Sequence, residues 1–386
     1  MDFAFSEDQE LLRSTTRRFL EEHHPLASLR SVIEAEETFD PDVWRQGAEL
    51  GWAAMLVPSE HDGGSITEQP LVDVVVLAEE LGRVLYPGPF VPTNVVADAI
   101  ATWGDPAQRR ELLPSIARGA CVGAWCLTED GTSDLASVGV RATRAGDGYR
   151  LQGVARHVHG ASVANLLLVA ARAEDRIAHL AVHVPAPGVT IRPHVGLDLT
   201  RRYAEVRFDD AVVPGSALLP AAGSATAIAE RSSGIATVLQ AAEAVGSADS
   251  LVSTTVQYAK DRVQFGRPIG SFQAIKHRLA DMLLTLEGMR AATHYAALAM
   301  SDGFDDAAEA VAVAGSYVGD AFPYACGEAL QLHGGIGFTW EHDIHLFVRR
   351  ARVDQVMYGD PAWHRERLCA LLEEATPDDD RAAGDD

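Results

Sequence analysis

The sequence predicts a mainly α-helical fold with a small antiparallel β-barrel or sandwich at its centre, between an N-terminal helical domain and a C-terminal four-helix bundle. Three features predict it: helical periodicity before residue 120, short alternating segments bounded by turn residues from Trp125 to Leu219, and long regular apolar repeats after that. A chain of 386 residues is long enough for two or three domains with shared cores, and the composition shifts place the boundaries at 1–120, 121–220 and 221–375, with an acidic, disordered tail over 376–386.

In the first part, Ser6 and Gln9 form a capping box, after which Leu12, Phe19 and Leu20 recur on one face. Further helices are expected over 41–50, 69–85 and 93–101, broken by Gly and Pro clusters at 58–65 and 86–92. Strands are expected over 139–143, 149–154, 166–171, 179–184, 188–192 and 204–208, separated by turns such as Gly146-Asp147-Gly148. In the third part Ile235, Val238, Leu239, Ala242, Val245 and Gly246 share a helical spacing, as do Ile275, Leu279, Met282, Leu283 and Leu286. A helix from Ala307 is expected to be interrupted at Pro323 and to end at Gly334-Gly335, with another beginning near Glu341.

The balance of 55 acidic against 32 basic residues gives a formal charge of −23, which disfavours nucleic-acid and anionic-membrane partners. Cys121, Cys126, Cys326 and Cys369 have neither CxxC nor zinc spacing, and the His157–His159 and His342–His345 segments lack a nearby third ligand, so no metal is expected. An acidic N-terminus and no apolar run of about 20 residues point to a cytoplasmic protein.

Several motifs carry a family resemblance. Residues 258–269, YAKDRVQFGRPI, continue into Ser271-Phe272-Gln273, Lys276-His277 and Leu279-Ala280-Asp281-Met282; Gln331-Leu332-His333-Gly334-Gly335-Ile336-Gly337 follows later, and Asp209 to Pro214 closes the β segment. Together these resemble the signatures of the acyl-CoA dehydrogenase family, whose domain order is the one predicted here. The resemblance implies FAD as cofactor and an acyl-CoA thioester as substrate. It also implies α,β-dehydrogenation, an electron-transfer flavoprotein or other electron acceptor, and an oligomer, either a homotetramer or a heterotetramer with a second subunit.

The residues make chemical sense of a flavin. No GxGxxG turn is present to cradle a pyrophosphate, so another cationic grip is needed and Arg262 supplies one. Phe265 would stack on the adenine, while Gly334 and Gly335, beside Gln331, let backbone N–H groups approach. In the family the Arg262 and Gln331 regions come from different subunits. Residues 125–134, WCLTEDGTSD, resemble the flavin loop, with Thr128 bonding the flavin edge and Ser133 a phosphate oxygen. Asp130 replaces a proline there. The following motif, residues 152–160, lacks the flavin-covering tryptophan and the threonine beside N5; His157 and His159 either replace those contacts or are strand residues.

The base departs furthest from the family. Dehydrogenation needs a carboxylate near the α-carbon. Residues 357–360 read Met-Tyr-Gly-Asp, so Gly359 stands where most members carry glutamate, and Ala236 stands at the alternative position on the first bundle helix. Thr237 replaces the CoA-gripping arginine. Two substitutes exist. Glu243 lies seven residues beyond Ala236 on the same face, about 10.5 Å along the axis; it is structural, pocket-lining or catalytic. Asp360 adjoins the vacant site with a shorter arm. Missing base and altered flavin cover resemble the partner subunits of actinobacterial heterotetramers that complete the fold without the base. A flavin monooxygenase or oxidase on the same fold is a third reading.

Overall fold

The computed structural model describes residues 5–34, 39–130, 133–174, 176–220 and 226–375; the expected acidic tail lies outside them. The N-terminal domain comprises α1 (Glu7–His23), α2 (Leu29–Glu34), α3 (Pro41–Glu49), α4 (Pro70–Arg83), α5 (Phe90–Trp103) and α6 (Pro106–Ala117). The predicted capping box of α1 is present, with the Gln9 N–H on Ser6 Oγ and the Ser6 N–H on Gln9 Oε1. A second box, Asp105 with Gln108 and Pro106 at the first helical position, starts α6.

The central domain holds β1 (Gly123–Cys126), β2 (Arg141–Ala145), β3 (Gly148–His159), β4 (Leu166–Ala173), β5 (Arg176–His183), β6 (Val189–Pro193) and β7 (Tyr203–Val213). The sheet runs β1-β4-β2-β3-β7-β6, with β5 on β4. Most ladders are antiparallel as expected, but β1 and β2 pair β4 in parallel, so the sheet is mixed. Long strand β3 breaks register on β7 between Leu151 and Gly153 and between Ala155 and Val158. The second bulge contains His157, at φ +54°, and bulges re-aim side chains in this way.

The last part contains α7 (Ala227–Asp261), the hairpin β8 (Val263–Gln264) and β9 (Arg267–Pro268), α8 (Gln273–Asp302), α9 (Ala307–His333), α10 (Ile344–Asp354) and α11 (Pro361–Ala375). Two expectations are corrected. The helices expected here are present, three long and two shorter among the described residues, but α9 runs unbroken through Pro323, where burial in the bundle holds the helix together despite the lost hydrogen bond. Leu283, expected inside, is 50% exposed.

Helix α7 is the axis of the molecule. Its predicted apolar set is buried from Ile235 to Val245. It touches α4 backbone to backbone, since a Cβ on Gly82 would lie 2.0 Å from the Glu243 carbonyl oxygen and one on Gly246 would lie 1.8 Å from that of Glu79. The contact fixes the turn that carries Glu243.

Candidate active site

Two clefts open where the β domain meets the helices. One, of about 550 Å³, is lined by Ser133 and Leu135 of the loop after β1, by Arg231 and Thr237 of α7, and by His364 and Arg367 of α11. The other, of about 780 Å³, shares Ser133 and adds His157, His194, Met357, Gly359 and Asp360. Both sizes suit a ligand of cofactor or drug dimensions. Thr128 and Ser133 of the expected flavin loop are both buried, and Ser133 lines both clefts. His157 reaches the second cleft through the bulge, its ring 5.2 Å from that of His194. Partial burial first, then His194 and Arg156, holds its pKa below the usual range. His159 does not reach the cleft. It is buried against Tyr203, Nε2 has no partner, and burial with Arg201 and Arg350 nearby holds its pKa far down.

The dinucleotide motifs lie elsewhere. The two-residue loop of the β8–β9 hairpin puts Phe265 (φ +52°) and Gly266 (φ +75°) in the left-handed region, which suits a tight hairpin turn. Phe265 is 92% exposed at the tip. Arg262 caps α7 through its N–H on the Tyr258 carbonyl and is exposed, with no ion pair among the described residues. One turn earlier, Tyr258 stacks on His333 at 4.2 Å and donates to its carbonyl oxygen. The Arg262 and Gln331 segments therefore sit side by side within one chain. Gln331 and Gly335 are exposed, and Gly334 takes φ +62°, ψ −141°, a conformation needing glycine. A Cβ at either glycine would meet nothing within 4 Å, so this chain's own packing does not require the bareness.

Neither candidate carboxylate is free. Glu243 is 2% exposed and its Oε2 accepts from Arg201 Nη2; Arg201 Nη1 also donates to Asp354 Oδ1 at 2.7 Å. Arg350 donates to Asp198 Oδ2 at 2.6 Å and to Thr200 Oγ1 alongside. These five charges join the loop before β7 to α7 and α10, with all five side chains of the three ion pairs buried. Burial opposes the Arg201 charge, but Glu243 and Asp354 overcome it and hold the pKa well above its ordinary value. Burial pushes Asp354 up to about 6 although Arg201 and Arg350 pull the other way. Asp360 accepts from the Trp363 N–H at 2.7 Å and so caps α11. Ala236 is wholly buried in the core, while Thr237 beside it lines the cleft. Gly359 lines the second cleft at φ +103°, and a Cβ there would meet the Trp363 ring at 2.5 Å. Sequence reasoning did not single out Arg201, Asp354 or His364; a buried acid on α7 was the only signal that a cationic partner had to exist.

Residues 6–120 match the family model described as acyl-CoA dehydrogenase, N-terminal domain, and residues 228–371 that described as acyl-CoA dehydrogenase, C-terminal domain. The chain belongs to the acyl-CoA dehydrogenase family. Acyl-CoA dehydrogenase IpdE2 of Mycolicibacterium smegmatis is 33% identical over 94% of this chain and 98% of its own. IpdE2 of Mycobacterium tuberculosis is 32% identical over 94% and 96%. Among solved structures, a Tcur3481–Tcur3483 steroid acyl-CoA dehydrogenase variant matches at 31% identity and TM-score 0.85, covering 95% of this chain and 98% of that one. The ChsE4–ChsE5 complex of Mycobacterium tuberculosis matches at 25% and 0.88, covering 98% and 100%. Family membership thus joins the predicted fold, and among the described residues no helix is long and apolar enough to cross a membrane.

Proposed function

We propose that this chain binds FAD and serves as a subunit of an acyl-CoA dehydrogenase, which removes the α-proton and β-hydride of an acyl-CoA thioester. One observation carries the reading. Thr237, which shares a cleft with Ser133, lies on α7 and Arg262 caps its end, about 37 Å further along at ~1.5 Å per residue. That is further than one dinucleotide reaches, so a flavin held at Thr128 and Ser133 takes its pyrophosphate and adenine contacts from Arg262, Phe265, Gln331, Gly334 and Gly335 of another chain. The unpaired Arg262, the exposed Phe265 and the open glycines fit such a shared site. The cofactor would supply the hydride acceptor. The chain's residues bind and orient it, with His157 and His194 over the second cleft in place of the tryptophan.

The same division of labour supports an assembly of chains, which this reading takes as a homotetramer or a heterotetramer with a second acyl-CoA dehydrogenase subunit, passing its electrons to an electron-transfer flavoprotein or other acceptor. A second reading, the catalytically silent partner of a base-bearing subunit, is favoured by Gly359 and Ala236 at both usual base positions and by the engagement of Glu243 and Asp360. The test is anaerobic flavin bleaching by a panel of acyl-CoAs, with the chain alone and with a second subunit. Bleaching alone supports an enzyme complete in itself; bleaching only in the mixture supports the partner; a protein purified without flavin under either condition would refute both.

A further inference from the structure

Asp98 is the only charged residue of helix α5, and it is 4% exposed. Both of its oxygens are taken by Arg231 of α7: Nε donates to Oδ2 and Nη2 to Oδ1, each at 2.8 Å. The bonds to Asp98 raise the Arg231 pKa against the opposing pull of burial, so the group stays cationic. The fork also holds the guanidinium in one plane. Two of its five N–H groups are used in this way. Nη1 has no partner among the described residues, and the edge it forms with Nη2 offers two more parallel donors.

Arg231 lines the first cleft, with its side chain 38% exposed. The wall around it is mostly apolar and includes Leu135, Met300, Val311 and Trp363. Donors in such a wall have less water to bond, so they gain more from an acceptor on a ligand. Packing does not call for the pair. Helices α5 and α7 already share an apolar core containing Val95, Ala99, Ile235 and Leu239, and a buried carboxylate adds a desolvation cost to that contact. What the pair does is fix the direction of the free edge of Arg231.

Two further features suit an anionic group on the ligand. Arg367 lines the same cleft from α11 and is exposed, with no ion pair among the described residues. The two carboxylates of the cleft have local bonds, Glu230 accepting from Thr226 Oγ1 at 3.0 Å and Asp134 from the Ala136 N–H at 2.8 Å. Thr237, which lines the cleft beside Ala236, lies six residues beyond Arg231 on α7, a separation of about 9 Å along the axis. At about 1.2 Å of reach per bond in an extended chain, roughly six to eight carbons cover that separation.

We propose that Arg231, with Asp98 as its positioning residue, binds a carboxylate at the far end of the acyl group, so that the thioester this cleft takes is that of a dicarboxylic acid. The inference rests on the dehydrogenase reading. The ligand carboxylate accepts from the Nη1–Nη2 edge while Asp98 keeps the other edge, and Arg367 adds a positive charge that no carboxylate of the chain neutralises.

The test is equilibrium binding to the FAD-loaded full chain, read by calorimetry, of two matched pairs: adipyl-CoA against hexanoyl-CoA and suberyl-CoA against octanoyl-CoA. Flavin content is measured in every sample. The members of a pair differ only in carboxylate against methyl at the far end, so the CoA phosphates cancel in the ratio of their dissociation constants. Wild type is expected to bind the dicarboxylic member about ten- to a hundredfold more tightly in at least one pair. Arg231→Met combined with Asp98→Leu leaves no unpaired buried carboxylate, and should bring that ratio close to one. Asp98→Asn should lower the ratio by about threefold or more, which a mere tie between helices would not do; this arm also decides the matter if the double variant does not fold. A wild-type ratio close to one in both pairs, a ratio that survives the double substitution, an unchanged ratio in Asp98→Asn, or no binding of any of the four by a chain holding stoichiometric FAD would overturn the proposal. So would a loss of affinity shared equally by both members of a pair, which would assign Arg231 to the CoA phosphates. A chain that holds no FAD would instead refute the underlying reading.

Discussion

Replacing Glu243 by glutamine separates an anchor from a base. The glutamine keeps the shape and an oxygen that can accept from Arg201, but removes the charge opposite a guanidinium whose side chain is 1% exposed. Arg201 is left with Asp354, which burial keeps partly protonated near pH 6, and its Nε has no partner. Breaking one side of a buried ion pair costs about 3–5 kcal/mol, and the retained neutral hydrogen bond places this substitution near the lower end. About 3 kcal/mol is roughly a hundredfold in the folding equilibrium. Thermal unfolding at saturating FAD should therefore show Glu243→Gln several degrees below wild type, while Arg201→Met with Glu243→Leu, which removes both charges together, should recover much of the loss. With acyl-CoA, flavin reduction by the folded Glu243→Gln fraction should match wild type. A variant that melts like wild type yet has lost flavin reduction would refute the anchor and make Glu243 the base.

Arg262→Ala should weaken FAD binding about ten- to a hundredfold, since a charge-assisted contact is worth roughly 1.5–3 kcal/mol, and dialysis followed by absorbance would show the loss. Light scattering at micromolar concentration should give a tetramer mass for the chain alone or with its second subunit; a monomer still holding FAD would contradict the shared site. Asp360→Ala should cost about 1 kcal/mol as a lost helix cap and leave flavin reduction unchanged. Asp354 should make stability depend on pH. Its folded pKa of about 6 exceeds the unfolded value, so its contribution is full below about pH 4 and is lost as pH rises through 6. Wild type should accordingly gain about 1–2 kcal/mol between pH 7.5 and pH 5 relative to Asp354→Asn, measurable by denaturant unfolding at the two pH values.

Much of this protein was legible in its residues. The Ser6–Gln9 cap, the helix starts at Pro41 and Pro70, the buried stripe of α7 and the end of α9 before Gly334 all follow from local rules, because caps, proline geometry and periodic burial act within a few residues. The Asp105–Gln108 box of α6 follows from the same local rule. The parallel pairing of β1 and β2 on β4 and the continuity of α9 through Pro323 were not legible, since partners far along the chain decide them. The site divides in the same way. The sequence by itself marked Arg262, Phe265, Gln331 and the two glycines as the proposed cofactor grip, and put Gly359 and Ala236 where the family carries glutamate. Only the tertiary structure decided what the remaining charges do. It set Arg201, from a loop 42 residues before Glu243, against that carboxylate, turned Asp360 to a helix cap, and drew His364 into the space between Gly315 and Gly359. Burial makes an unpaired charge so costly that the partner must come from wherever the fold brings one, and no local pattern in the chain records that distance.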